Sequence, residues 1–210
     1  MDHQKILKTP RLVLITDSQR LPAERFFEAV DAALGGGVDA VLVREKHMDS
    51  ARLLSFASAL RELTHLHSAE LIVHSQADVA KAVQADGVHL SAMDMNQIPP
   101  MKAWINDPAV RFSTSCHNEI ELEFAKRFEA DFVFLSPVFA TKSHPDEEPL
   151  GITRFRELST ASELPVVALG GITPQNRNQL EGYGVAVISA ILDVEDSKAA
   201  ASTLRGEPLS

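Results

Sequence analysis

The feature that most constrains the fold is a pair of segments repeated along the whole chain. A short apolar run stops at small or polar residues, and a segment with apolar residues at helical spacing comes next. Leu12–Ile15 stops at Thr16-Asp17 and leads into Pro22, Phe26, Phe27, Val30 and Leu34, which close at Gly35-Gly36-Gly37. Ala40–Val43 stops at Arg44-Glu45-Lys46, ahead of Leu53, Leu54, Ala57, Leu60 and Leu63. The run 71–73 stops at His74-Ser75, before a short helix expected over 78–84. Gly87–Leu90 stops at Ser91-Ala92-Met93-Asp94, and 111–115 leads through Cys116-His117 to a helix expected over 119–128. Phe132–Leu135 opens onto a long segment, 136–151. Val166–Leu169 ends at Gly170-Gly171, where Thr173-Pro174 offers a helix start, and 185–188 ends at Ser189-Ala190, with Asp193 placed to cap the last helical segment.

Strands this apolar have no wet face, so they call for a parallel sheet covered by helices. Eight such units call for closure, an α/β fold of the (β/α)8 (TIM) barrel type, in which every strand's C-terminal end opens on one face. An open doubly wound sheet is the alternative, but no Gly-x-Gly-x-x-Gly follows the first strand. No linker divides the 210 residues, so 1–210 is read as a single domain with compact connections.

Composition narrows the partners. A net charge of −9 without a basic cluster argues against nucleic acid or an anionic membrane, so any anionic ligand must be met by a local site. The single cysteine, Cys116, allows no internal disulfide and fits a reducing, cytoplasmic setting. No stretch reaches the length a membrane-spanning helix needs, and the N-terminus has no apolar signal core. The expected partner is a small phosphorylated substrate. A homodimer is compatible with the apolar helix faces that small barrels often pair.

Polar residues gather where the strands end. Gly170-Gly171 and Ser189, after strands seven and eight, suit a phosphate cradled by backbone N–H groups. The alternative is two ordinary strands with tight turns. Arg44 and Lys46, two apart, point the same way and suit a pyrophosphate or carboxylate, unless they are a solvated pair around Glu45. Asp94 is either a Mg2+ ligand or a helix cap. His117 has the imidazole expected of a rim acid/base. His89 lies inside a strand and reads as a hydrogen-bonded interior residue. Cys116 points away from the His117 face and reads as a small buried residue rather than a nucleophile. The segment 136–151 is long enough for a lid, with Pro137, Pro145 and Pro149 limiting its disorder. No metal site is assigned to His47, His65 or His67.

Several stretches together resemble the thiamin phosphate synthase and thiazole tautomerase superfamily. They are Leu14-Ile15-Thr16-Asp17, Arg44-Glu45-Lys46, Ala85-Asp86-Gly87-Val88-His89-Leu90, Ser115-Cys116-His117, Ala130-Asp131-Phe132-Val133 with Ser136-Pro137-Val138-Phe139-Ala140-Thr141, Ala168-Leu169-Gly170-Gly171-Ile172 and Val187-Ile188-Ser189-Ala190-Ile191. The resemblance implies a barrel that binds carboxythiazole phosphate, its phosphate near Gly170, Gly171, Ile188 and Ser189. Arg44, Lys46 and His117 fall at catalytic positions, and Ser115, Thr141, Lys142, His144 and His74 at other substrate-binding positions. Departures from the synthase pattern stand at Leu42 for a glutamine, His74-Ser75 for Asn-Asp, and His144 for a lysine that Lys142 is near enough to replace. Ser91-Ala92-Met93-Asp94 keeps only the last carboxylate of Gly-Gln-Glu-Asp.

The resemblance therefore implies an enzyme, with thiazole tautomerase chemistry slightly ahead because His117 and the phosphate site suffice for it without a cofactor. The alternatives are a Mg2+-dependent thiamin phosphate synthase, with Asp94 as metal ligand, and a non-catalytic binder of thiazole or thiamin phosphate. The Ser-Cys-His and Thr-x-Ser-His-Pro patterns also resemble a synthase-like domain fused behind a Nudix hydrolase. Because this chain begins at the barrel, such a partner is expected to be a separate protein.

Overall fold

The computed structural model describes residues 9–141 and 148–206. Eight parallel strands close into one barrel in sequence order: β1 (Leu12–Ile15), β2 (Ala40–Val43), β3 (Glu70–His74), β4 (Gly87–Leu90), β5 (Arg111–Cys116), β6 (Phe132–Leu135), β7 (Val166–Leu169) and β8 (Gly184–Val187). Closure is made by β1 against β8, with Leu12 opposite Val185 and Leu14 opposite Val187. The apolar runs are continuous because both faces of each strand are buried. Val13, Ile15, Leu42, Ile72, Phe132, Phe134 and Val167 fill the interior. Their neighbours Leu12, Leu14, Val41, Val43, Val133 and Leu135 pack outward against the helices.

The outer layer contains α1 (Ala23–Gly35), α2 (Ser50–Leu66), α3 (Ala77–Ala82), α4 (Ile98–Ile105), α5 (Glu119–Arg127), α6 (Gly151–Ala161), α7 (Ser189–Leu192) and α8 (Ser197–Arg205). Asp49, Asn118 and Asp196 cap α2, α5 and α8 by accepting from the N–H groups of Arg52, Glu121 and Ala199. Among the described residues, no helix is long and apolar enough to cross a membrane.

The expectations for the last two units need correction. Between β7 and β8 there is only a 3-10 turn, Arg177–Leu180, instead of a helix starting at Thr173-Pro174. The Asn176 side chain accepts the Thr173 N–H at 2.8 Å and donates to the Gly171 carbonyl at 2.9 Å, which closes a turn where the cap was expected. The last strand starts one residue earlier than expected and releases Ile188, whose φ of −123° and ψ of −80° leave the sheet. Asp193 lies at the C-terminal end of α7 and pairs with Arg20, while Asp196 is the cap.

Candidate functional site at the barrel mouth

Parallel strands bring the residues that follow them to one mouth. On the β2–β4 side, Arg44 is fixed by its backbone N–H, which donates to Thr16 Oγ1 at 3.0 Å. Glu45 is buried and accepts from Ser18 N–H and Oγ at 2.9 and 2.8 Å. The residue between the cations thus turns inward and ties two loops together, leaving Arg44 half-buried and Lys46 exposed.

His74 ends β3 beside these cations. Burial, then the charges of Arg44 and Lys46, push its imidazole down to about 4, so it is neutral at physiological pH. Its Nδ1 is buried with no hydrogen-bond partner among the described residues. Asp94 is exposed, and its Oδ2 accepts from Ser91 Oγ at 2.5 Å as Ser91 opens a 3-10 turn, Ala92–Gln97. Ser75, at the position where the resemblance expected a carboxylate, adopts a φ of +60° and donates its N–H to the His89 carbonyl at 2.9 Å.

The depressed His74 pKa makes a prediction about acid stability. The unfolded chain takes up this proton near the ordinary value of 6.5, but the folded chain does so only near about 4. Stability from this group is thus fully present above about pH 6.5 and is lost as pH falls toward about 4, by on the order of 3 kcal/mol. Burial lowers the His89 pKa as well, so it adds a slope of the same sign. Urea denaturation at about pH 7 and about pH 4.5 should show this loss, reduced in His74→Asn; an equal loss in both proteins would refute the assignment.

On the β7–β8 side, Gly170 and Gly171 have φ of +102° and +64°. A Cβ on Gly170 would lie 2.7 Å from Pro137 Cα, and one on Gly171 would lie 2.8 Å from the Phe139 carbonyl carbon. Glycine is thus required twice, for conformation and for close approach of the loop after β6. That loop donates Val138 N–H to Leu169 O at 2.9 Å and Phe139 N–H to Gly170 O at 3.0 Å. With the Gly171 carbonyl taken by Asn176, the turn's carbonyls are engaged, while the Gly171 N–H has no acceptor among the described residues. Ser189 opens α7, so its N–H has no partner within that helical turn. Arg20 bridges Asp17 and Asp193 at 2.7 Å each and braces the loops after β1 and β8.

Between these sides, β5 carries inward-facing Ser113 and Ser115, with His117 just beyond it. Glu121 Oε2 accepts from both the backbone N–H and Nδ1 of His117, at 2.7 and 2.8 Å. Because a carboxylate only accepts, Nδ1 carries the hydrogen and Nε2 of the neutral ring is left as the basic atom. Glu121 was not foreseen from the sequence. His89 is an interior residue, as expected, bonded through Nδ1 to Ser113 Oγ at 2.9 Å and through Nε2 to Ser115 Oγ at 3.0 Å. Cys116 is fully buried on the other face, and burial followed by the Glu121 charge raises its thiol to about 12, which excludes a neutral-pH thiolate.

Thr141 is half-buried at the edge of the mouth. Lys142, His144 and the centre of the expected lid lie outside the described residues. The flanks of the segment 136–151 are fixed by Leu150 N–H to Pro137 O and Gly151 N–H to Val138 O, at 2.9 and 3.0 Å. In a ring of eight strands β3 lies opposite β7, so the mouth has Arg44, Lys46, His74 and Asp94 on one side and the glycine turn with Ser189 on the other.

A family model described as thiamine monophosphate synthase matches residues 12–194. The chain belongs to the thiamine monophosphate synthase family. A putative thiamine-phosphate synthase 2 from Aquifex aeolicus is 36% identical over 190 residues, covering 89% of this chain and all of the relative. A thiamine-phosphate synthase from Chloroflexus aurantiacus is 35% identical over 199 residues, covering 93% and 91% of the two chains. The solved structure of a thiamine phosphate pyrophosphorylase from Pyrococcus furiosus superposes with a TM-score of 0.82 at 34% identity, covering 93% of each chain. The family expected from the sequence is thus established, and with it an enzyme. The relatives' names favour the synthase alternative over the tautomerase-first expectation.

Proposed function

We propose that the chain is a thiamin phosphate synthase that joins a hydroxymethylpyrimidine pyrophosphate to a carboxythiazole phosphate. The supporting observation is the pair of anion-suited sides facing each other across the mouth. Two phosphorylated substrates need both. A tautomerase acting on one thiazole phosphate needs only the glycine side and leaves Arg44 and Lys46 without a task.

In this reading the C–O bond to pyrophosphate breaks with its electron pair on the leaving group, and the thiazole nitrogen supplies the pair for the new C–N bond; the ring carboxylate then leaves as CO2, its bonding pair stays on the ring carbon, and a proton taken up there completes thiamin phosphate. Arg44 and Lys46 bind the pyrophosphate and stabilise the charge it gains. The N–H groups of Gly171 and Ser189 hold the thiazole phosphate, fixing its ring near the carbon that loses pyrophosphate. Neutral His74 and the Ser115 hydroxyl offer hydrogen bonds to the heterocycles.

The described residues contain no group of three or more His, Cys, Asp or Glu fit to hold a metal. The donors nevertheless fit Mg2+, which takes one or two protein carboxylates and completes its shell with phosphate oxygens and water. Asp94 would hold it, and the ion would supply charge neutralisation at the pyrophosphate.

The tautomerase reading is kept as second because of the His117–Glu121 pair, which suits a proton shuttle at Nε2. The test is thiamin phosphate formation by purified protein given both substrates and Mg2+. Product is expected. Interconversion of thiazole isomers without thiamin phosphate would replace the synthase with the tautomerase.

A further inference from the structure

Beneath the mouth, β4 and β5 bury a polar relay whose inner members, His89 and Ser113, neither chemistry uses directly. His89 stands opposite Ser113 in the ladder, and its ring meets Phe134 edge-on at a centroid distance of 4.8 Å. His89 and Ser113 are buried, whereas Ser115 is half-buried toward the mouth. Each imidazole nitrogen bonds one serine hydroxyl, and neither hydroxyl has another partner among the described residues. The ring is neutral, since burial, then His74 and Arg44, hold its pKa well below the ordinary histidine value.

A neutral imidazole has one donor nitrogen and one acceptor nitrogen, so one serine donates to the ring and the other accepts from it. The two arrangements differ in cost. If Nδ1 carried the hydrogen, Ser113 would accept, and its own proton would be buried with no acceptor. If Ser113 donates to Nδ1, its proton is satisfied; Nε2–H then donates to Ser115, whose proton remains available at the mouth.

We propose that Ser113 and His89 are positioning residues that fix Ser115 as a hydrogen-bond donor to an acceptor atom on the substrate heterocycle. The polarity follows from the barrel alone, while the identity of the heterocycle rests on the synthase reading. A ligand presenting only a donor could use the second lone pair of Ser115 but would leave the Ser115 proton without an acceptor. The relay thus selects acceptor-bearing rings.

The direct test is two-bond proton–nitrogen NMR on protein labelled with 15N-histidine, with His89 assigned by its loss in His89→Gln. The expected signature is bare Nδ1 and protonated Nε2 at neutral pH. A protonated Nδ1 overturns the proposal whether or not the protein makes thiamin phosphate, and absence of that activity overturns the synthase reading while leaving the tautomer result standing.

A mutant cycle tests the link to the substrate. Ser113→Ala should raise KM for carboxythiazole phosphate or the pyrimidine pyrophosphate by about tenfold, and Ser113→Thr, which keeps the donor, should restore it. Affinity for inorganic pyrophosphate should not change. Adding Ser113→Ala to Ser115→Ala should cause little further loss, because Ser113 acts through Ser115. Additive losses, or weaker pyrophosphate binding alongside, would mean that Ser113 only supports the fold.

Discussion

Replacing Gly171 with alanine is expected to weaken binding of carboxythiazole phosphate by about 10–10²-fold, the equivalent of one charge-assisted hydrogen bond at about 1.5–3 kcal/mol. The φ of +64° puts the residue in the left-handed region, which costs a side-chain-bearing residue about 1–2 kcal/mol. The new Cβ would also run into the Ala140 carbonyl oxygen and Phe139. The turn cannot relieve this by moving alone, because Phe139 N–H is bonded to Gly170 O and Asn176 to Gly171 O. Relaxation therefore shifts the Gly171 N–H and the loop after β6 together. Calorimetric titration with the thiazole phosphate and with its dephosphorylated alcohol separates the effects. The phosphate ester should lose affinity and the alcohol should change little; equal losses would show that the turn shapes the ring pocket and does not hold phosphate.

The barrel was legible because its signal is redundant: burial on both strand faces produces an unbroken apolar run, and five runs match the observed strands residue for residue. The eighth was displaced by one because Gly184, paired with Val167, has no side chain to register as apolar, whereas Ile188 is apolar but outside the ladder. Thr173-Pro174 carried a sound helix-start signal, yet the Asn176 side chain took the hydrogen bonds for a turn.

At the site, strand ends located Arg44, Lys46, His74, Asp94, His117 and the glycine turn correctly on one mouth, since parallel topology alone dictates it. The interactions between side chains escaped. Asn118 and Glu121 have capping-box spacing, but the glutamate reaches one residue farther back than the cap, to the N–H and ring of His117. The His89–Ser113 bond depends on a cross-strand register that no local pattern encodes.

Arg44→Met should reduce thiamin phosphate formation by about 10²–10³-fold, the usual cost of losing one group aimed at transition-state charge. The fold should tolerate it. The Arg44 guanidinium makes no hydrogen bond or ion pair among the described residues, its backbone bond to Thr16 survives, and methionine keeps much of the stem's apolar volume. An internal reporter checks that the charge was lost where intended. Since Arg44 helps depress the His74 pKa, removing it should let that value rise from about 4, with the larger effect of burial still in place. Such a rise, seen by NMR titration, with unchanged melting temperature and lost turnover, places the Arg44 charge at the pyrophosphate side. His117→Ala supplies the opposing arm. In a synthase it should cost less than Arg44→Met, because the leaving group departs by charge stabilisation; in a tautomerase it should cost about 10²–10⁴-fold while Arg44→Met costs little. The order of the two losses, measured on both reactions, decides which side of the mouth carries the chemistry.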